Sequence, residues 1–164
     1  KICNNEEEAL SALFEGETSR TMAQHKLNAN SSRSHAIFTI HLEMRSRVES
    51  TEKIVYSKIN LVDLAGSERT KKTGSEGITM IEANYINKSL SFLEQVVVAL
   101  SEKSRDHVPY RQSKLTYLLK DSIGGNSKTI MIANVWPEPS YLEETISTLK
   151  FASRMMKVSN EATV

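Results

Sequence analysis

The stretch from Ile54 to Leu64 becomes steadily more apolar and then breaks at Asp63-Leu64-Ala65-Gly66-Ser67-Glu68. This break constrains the fold more than any other feature of the chain. An apolar run of this length reads as a buried strand, so the sequence predicts a strand that ends at Asp63 or Leu64. Ahead of it, Ala36, Phe38, Ile40, Leu42 and Met44 alternate with Thr39, His41 and Glu43, the period of a half-buried strand. Arg45 through Lys53 is polar and suits a hairpin connection between the two.

Helical patterns surround this pair. Asn4 or Asn5 can cap a helix whose first turn holds Glu6, Glu7 and Glu8 and whose apolar face includes Leu10, Leu13 and Phe14, with Gly16 as its expected stop. After a glycine-rich loop containing Gly66, Gly74 and Gly77, Ile86, Leu90, Leu93, Val97 and Leu100 recur at alternating spacings of four and three. That stripe predicts a long amphipathic helix packed on a core. Pro109 suits a helix start, Leu115, Leu118 and Leu119 support a shorter helix, and Gly124-Gly125 ends it. Thr129 to Val135 reads as a third strand. Ser140-Tyr141-Leu142-Glu143 has capping-box spacing for a last helix buried through Leu142, Ile146, Leu149 and Ala152. The tail from Ser159 to Val164 lacks periodicity and is expected to be extended or docked.

Composition narrows the function classes. With 164 residues, 39% hydrophobic and 25% charged, the chain suits one soluble domain, and no apolar stretch approaches the length of a membrane helix. Cys3 is the only cysteine, which excludes an intrachain disulfide and fits a reducing, intracellular setting. A net charge of +1 argues against a globally basic nucleic-acid binder. Any polyanion must therefore meet a local patch, such as Arg69 with Lys71 and Lys72, or the segment from Lys103 to Lys114. Either patch alone also reads as a solvated charged surface.

The chemistry concentrates in two strings. Asp63 at a strand end can hold a magnesium-bound water, and Gly66 lets a backbone N–H approach a phosphate without a side-chain collision. A lone D-x-x-G also serves as an ordinary turn. Asn28-Ala29-Asn30-Ser31-Ser32-Arg33-Ser34-His35 supplies hydroxyls for magnesium or an attacking water, and Arg33 can reach a carboxylate such as Glu68. Three serines in isolation are equally a serine-rich turn. No G-x-x-x-x-G-K-[ST] occurs, so the residues suggest a phosphate sensor without the loop that cradles most of a triphosphate.

These two strings, with Tyr85-Ile86-Asn87-Lys88-Ser89-Leu90 and His107-Val108-Pro109-Tyr110-Arg111-Gln112-Ser113-Lys114, resemble the motifs of kinesin motor domains in family order. The resemblance runs from about Glu6 to Lys157. Phe14-Glu15-Gly16-Glu17-Thr18, Ser91-Phe92-Leu93-Glu94-Gln95 and Leu142-Glu143-Glu144-Thr145 look closest to the class-nine kinesins. It implies an α/β chain forming the carboxyl-terminal part of the kinesin P-loop fold, with helices on both sides of a mixed central sheet. Residues 1–157 would be the carboxyl-terminal half of a motor domain and 158–164 the start of a neck linker or tail.

The resemblance further implies ATP and Mg as cofactors and direct attack of water on the terminal phosphate. Asn28, Ser31, Ser32, Asp63 and Gly66 would bind nucleotide, Ser32 and Asp63 (through water) would hold Mg, and Arg33 with Glu68 would form a closing salt bridge. The helix from about Ile78 to Ser101 would relay switch motion. Arg69, Lys72, Lys88, Lys103, Arg105, Arg111 and Lys114 would face a microtubule of alpha/beta tubulin, with Tyr117 standing where many kinesins carry a basic residue. Neither nucleic acid nor membrane is an expected partner, and the expected location is the cytoskeleton of a cilium or flagellum. The upstream half of the same motor domain is the other expected partner, because the phosphate-loop strand would fill a gap between the strand ending at Asp63 and that at Thr129 to Val135. A non-motile microtubule-binding module and a GTPase-type switch are the competing readings. The GTPase reading leaves Ser-Ser-Arg-Ser-His and the His107 to Lys114 segment unexplained.

Overall fold

The computed structural model describes residues 1–25, 34–46, 54–66, 78–102 and 107–163. They belong to two compact units, Lys1–Gly66 and Ser67–Val164.

In the first unit, helix α1 spans Glu6–His25. Asn5 caps it, with Asn5 Oδ1 accepting the Glu8 N–H at 2.9 Å while Glu8 Oε2 accepts the Asn4 N–H at 2.8 Å. These bonds satisfy donors that a helix start leaves open. Contrary to the sequence expectation, Gly16 does not end the helix. A single interior glycine costs only about 0.5–1 kcal/mol, and the residues from Glu17 to His25 include no proline to enforce a stop.

Strands β1 (Ala36–Arg45) and β2 (Ile54–Asp63) pair antiparallel, with Arg45 opposite Ile54 and Ala36 opposite Asp63. This is the expected hairpin. Thr39 donates to Asn60 Oδ1 across the register at 2.9 Å. The expected burial is not present: β1 is half-buried over residues 36–40 and exposed over 41–45, and Leu61, Val62 and Leu64 at the end of β2 are exposed. Among the described residues the sheet has two strands and no covering layer on them, so apolar patterning is present without the burial it anticipates.

The second unit is built on α2, Ile78–Ser101. Of its predicted stripe Leu93 and Val97 are buried and Ile86, Leu90 and Leu100 half-buried, while Val96 and Ala99, outside that stripe, are buried as well. Against it lies a 3-10 turn, Tyr110–Gln112, followed by α3, Lys114–Leu118. Ser113 and Thr116 form a capping box at the start of α3, and Leu115, Thr116, Leu119 and Ile123 complete the core. Gly124 has φ +77, and a Cβ there would lie 2.6 Å from Leu100 Cδ2 and 3.0 Å from the Tyr110 hydroxyl. Glycine is therefore required by both conformation and space.

Helix α4, Leu142–Met155, enters through a 3-10 turn at Pro139–Tyr141. The capping box expected from Ser140 and Glu143 is not made. Tyr141 is the N-cap without a side-chain bond, and Thr145 instead donates to the Trp136 carbonyl at 3.0 Å and accepts the Trp136 N–H at 3.3 Å. The Trp136 and Tyr141 rings pack with centroids 5.4 Å apart and planes tilted by 32°. Leu142, Ile146 and Leu149, expected inside, are exposed, while Phe151, Ala152 and Met155 are half-buried.

The third predicted strand does not form. Residues 129–135 carry no ladder among the described residues, and Ile130 and Ile132 are 81% and 82% exposed. Strand identity requires a neighbour to receive backbone hydrogen bonds, and a sequence pattern cannot supply one. The tail is docked, with the Gly124 N–H donating to Asn160 Oδ1 at 2.6 Å, the Glu161 N–H to the Gly125 carbonyl at 3.2 Å, and the Thr163 N–H to Asn126 Oδ1 at 2.8 Å.

Candidate functional site

The hairpin register brings the two chemical strings together. Because Ala36 pairs with Asp63, the residues entering β1 and those leaving β2 lie side by side. His35 Nδ1 accepts the Ala65 N–H at 3.0 Å, so one string is tied to the other by a backbone donor. Ala65 is buried. Burial first, and the nearby Arg20 guanidinium second, push His35 below the usual imidazole range. Both causes favour the neutral ring that can accept at Nδ1.

Arg20, on α1, is the site residue that sequence reasoning missed. Its Nη1 donates to Asp63 Oδ2 at 2.8 Å, its Nε to Ser34 Oγ at 3.2 Å and its Nη2 to the Ser34 carbonyl at 3.1 Å. One planar fork therefore holds the last residue of β2 and a residue of the serine string together. The Asp63 hydrogen bond is the main reason the Arg20 pKa is raised. The Arg20 side chain is 16% exposed, whereas that of Asp63 is 66% exposed, which keeps the carboxylate accessible to water. Nothing in the spacing announces this contact, since α1 lies far ahead of β2 in the chain.

Of the predicted site residues, Asp63 sits at the end of β2 and Gly66 in the segment that follows. Asn28, Ser31, Ser32, Arg33 and Glu68 lie outside the described residues. Among the described residues, no group of three or more His, Cys, Asp or Glu forms an all-protein metal cage. Magnesium typically takes one or two carboxylates and keeps much of its water shell, and Asp63 fits that donor set.

The second unit carries the predicted basic residues Lys88, Arg111 and Lys114, all exposed. Lys88 Nζ lies 5.8 Å from the centroid of the Phe92 ring one turn along α2, a cation–π arrangement. Arg69, Lys72, Lys103 and Arg105 lie outside the described residues.

Comparison with known proteins decides the family. The kinesin motor domain model matches residues 1–158. This chain belongs to the kinesin motor domain family. The kinesin chain is 59% identical to Kinesin-like protein KIF9 of Mus musculus over 99% of its own length and 21% of that protein. It is 60% identical to Kinesin-like protein KLP1 of Chlamydomonas reinhardtii, covering 96% of this chain and 20% of the relative. The likeness to class-nine kinesins read from the sequence agrees with the KIF9 match.

Among solved structures, it superimposes with a TM-score of 0.89 at 43% identity on a KIF14 dimer with AMP-PNP in complex with a microtubule. That match covers all of this chain and 47% of the other. A fast kinesin gives a TM-score of 0.87 at 42% identity over 99% of this chain and 45% of its own. The fold is therefore the α/β fold of kinesin motors. The chain spans about half the length of these solved motor chains and about a fifth of the curated relatives.

Proposed function

We propose that this chain is the nucleotide-sensing and track-gripping part of an ATP-driven microtubule motor. The observation that carries the reading is the joint between the two strings: His35 receives the Ala65 N–H, and Arg20 holds Ser34 and Asp63 with one guanidinium. Movement imposed on the serine string by a terminal phosphate reaches the Asp63–Glu68 string directly through these bonds. Bound ATP with Mg would supply the hydrolysable phosphate and neutralise its charge.

In this reading Asn28, Ser31 and Ser32 close over the phosphate, Ser32 joins the metal shell, and Asp63 acts through a metal-bound water. The Gly66 N–H approaches the phosphate, and Arg33 pairs with Glu68 to shut the site. Arg20 is a positioning residue that fixes the Asp63 carboxylate. The track side comprises Arg69, Lys72, Lys88, Lys103, Arg105, Arg111 and Lys114, facing acidic tubulin. The KIF14 dimer, which matches all of this chain over 47% of its own, was solved with AMP-PNP and a microtubule, which supports both partners.

Two further features belong to the same proposal. The exposed apolar rows on β2, on residues 129–135 and on α4 are surfaces for the upstream half of the motor domain, which brings the phosphate loop. Residues 158–164 are the start of a neck linker or tail. Class-nine resemblance assigns the motor to ciliary or flagellar microtubules, a placement that fluorescence imaging of the tagged full-length protein tests.

The decisive experiment is Glu68→Ala in the complete motor domain. Loss of the closing salt bridge should remove most microtubule-stimulated hydrolysis, on the order of 100-fold or more, with nucleotide binding retained. Unchanged steady-state turnover would overturn the assignment. A parent motor that binds microtubules equally in every nucleotide state without turnover would instead identify a non-motile module.

A further inference from the structure

Of the apolar face that the sequence assigns to α1, only Leu13 turns inward. It is half-buried, as are Ala9, Ala12 and Arg20, whereas Leu10 and Phe14 are 44% and 66% exposed. Arg20 fixes the rotation of the helix, because its guanidinium is held by Ser34 and Asp63. Phe14 stands six positions earlier, about 120° away around the helix axis, and so faces outward. Leu10 lies one turn before Phe14, and the two form a short apolar ridge.

Acids alone border this ridge. From Glu6 to Ser19 the chain holds five glutamates and no lysine, arginine or histidine. Glu7 is one turn from Leu10, and Glu17 one turn from Phe14. Glu8 caps the helix start, Glu15 pairs with Lys1, and Glu17 approaches Arg20 at 3.5 Å. Glu6 and Glu7 form no ion pair among the described residues. Acids in a first turn favour the helix dipole, which accounts for Glu6 and Glu7 within the fold but not for Glu17 or for an outward phenylalanine. A lone exposed leucine needs no explanation; an aromatic ring beside it forgoes burial with no gain to the fold. The motor's own interior is an unsuitable cover, since it would take Glu7 and Glu17 out of water together with the ring. A basic surface would instead supply their partners.

We infer that the ridge of Leu10 and Phe14 on α1 is a docking site for a second polypeptide that presents a basic amphipathic helix. Apolar side chains of that helix cover Phe14 and Leu10, while its lysines or arginines meet Glu6, Glu7 and Glu17. The inference goes beyond the motor reading, and the ridge shares no residue with the nucleotide joint or with the basic track residues. It gives the chain an attachment point for something other than its track. Screened charges govern encounter at such a site, whereas a desolvated ring governs dissociation.

The test uses the complete motor domain without microtubules and a fluorescein-labelled probe peptide about five helical turns long, with leucines along one face and lysines along the other. Anisotropy titration should show saturable binding to the parent. Phe14→Ala should weaken it by about 5- to 20-fold, and Phe14→Leu should keep most of it. Glu7→Gln should weaken it by about 2-fold at low salt and converge on the parent at high salt. A control peptide with serine in place of leucine should not distinguish the parent from Phe14→Ala. Alanine favours a helix more than phenylalanine does, so the melting temperature should not fall in Phe14→Ala, and microtubule-stimulated turnover should be unchanged. Absence of saturable binding, or equal binding by Phe14→Ala, overturns the inference. A clear fall in melting temperature or turnover in Phe14→Ala overturns it by placing the ring inside the motor's own structure. A parent dimer that Phe14→Ala dissociates in sedimentation velocity overturns it in favour of a second copy of the chain.

Discussion

Arg20 and Asp63 divide the site by accessibility: the guanidinium is mostly enclosed, and the carboxylate is open to water. Asp63 is legible in the sequence because a carboxylate closing an apolar run is a local pattern, whereas Arg20 depends on the return of a distant helix. Since Asp63 is well exposed, the ion pair itself contributes little and the fork's bonds to Ser34 matter as much. Arg20→Ala should destabilise the complete motor by about 1 kcal/mol, measured by chemical denaturation. Arg20→Lys should fail to restore it because one ammonium cannot reproduce the planar fork.

His35 gives a pH signature at the same scale. Its folded pKa lies below the unfolded value through burial and Arg20, so the neutral form stabilises the fold fully above the unfolded pKa of about 6.5. That contribution is lost as pH falls through the lower folded value. His35→Asn retains a side-chain acceptor without titrating. Its stability should fall less than that of the parent below about pH 6.5, as denaturation curves at several pH values will show.

Among the elements, α2 is legible as a helix because its stripe repeats over many turns, and Leu93 and Val97 of that stripe are buried, whereas the burial of Val96 and Ala99 beside it was not legible. Its neighbours show where local reasoning runs out. Gly16 reads as a stop, yet α1 continues through it with open space around the position. Gly16→Ala should therefore stabilise the motor by about 0.5–1 kcal/mol. Gly124→Ala should do the opposite, costing about 1–3 kcal/mol, because it combines positive φ with collisions at Leu100 and Tyr110. Thermal melts of the two variants should shift in opposite directions. The sequence names both residues glycine, and only the backbone and its neighbours distinguish them.

At the scale of the whole molecule, the strand predicted at residues 129–135 and the buried face predicted for α4 fail for one reason. Both patterns anticipate partners, and among the described residues none covers Ile130, Ile132, Leu142 or Ile146. The hairpin succeeds because its partner is the next segment of the chain. Isolated residues 1–164 should accordingly lack a cooperative denaturation transition, and a sharp two-state melt would count against the need for the upstream half. In the proposed mechanism, nucleotide state changes grip on the track through the joint at His35, Ala65, Arg20 and Asp63. Its most direct test is the microtubule affinity of the complete motor in AMP-PNP and in ADP. Markedly tighter binding is expected in AMP-PNP, with a collapse of that difference in Glu68→Ala, whereas equal affinity of the parent motor in both nucleotides would overturn the mechanism.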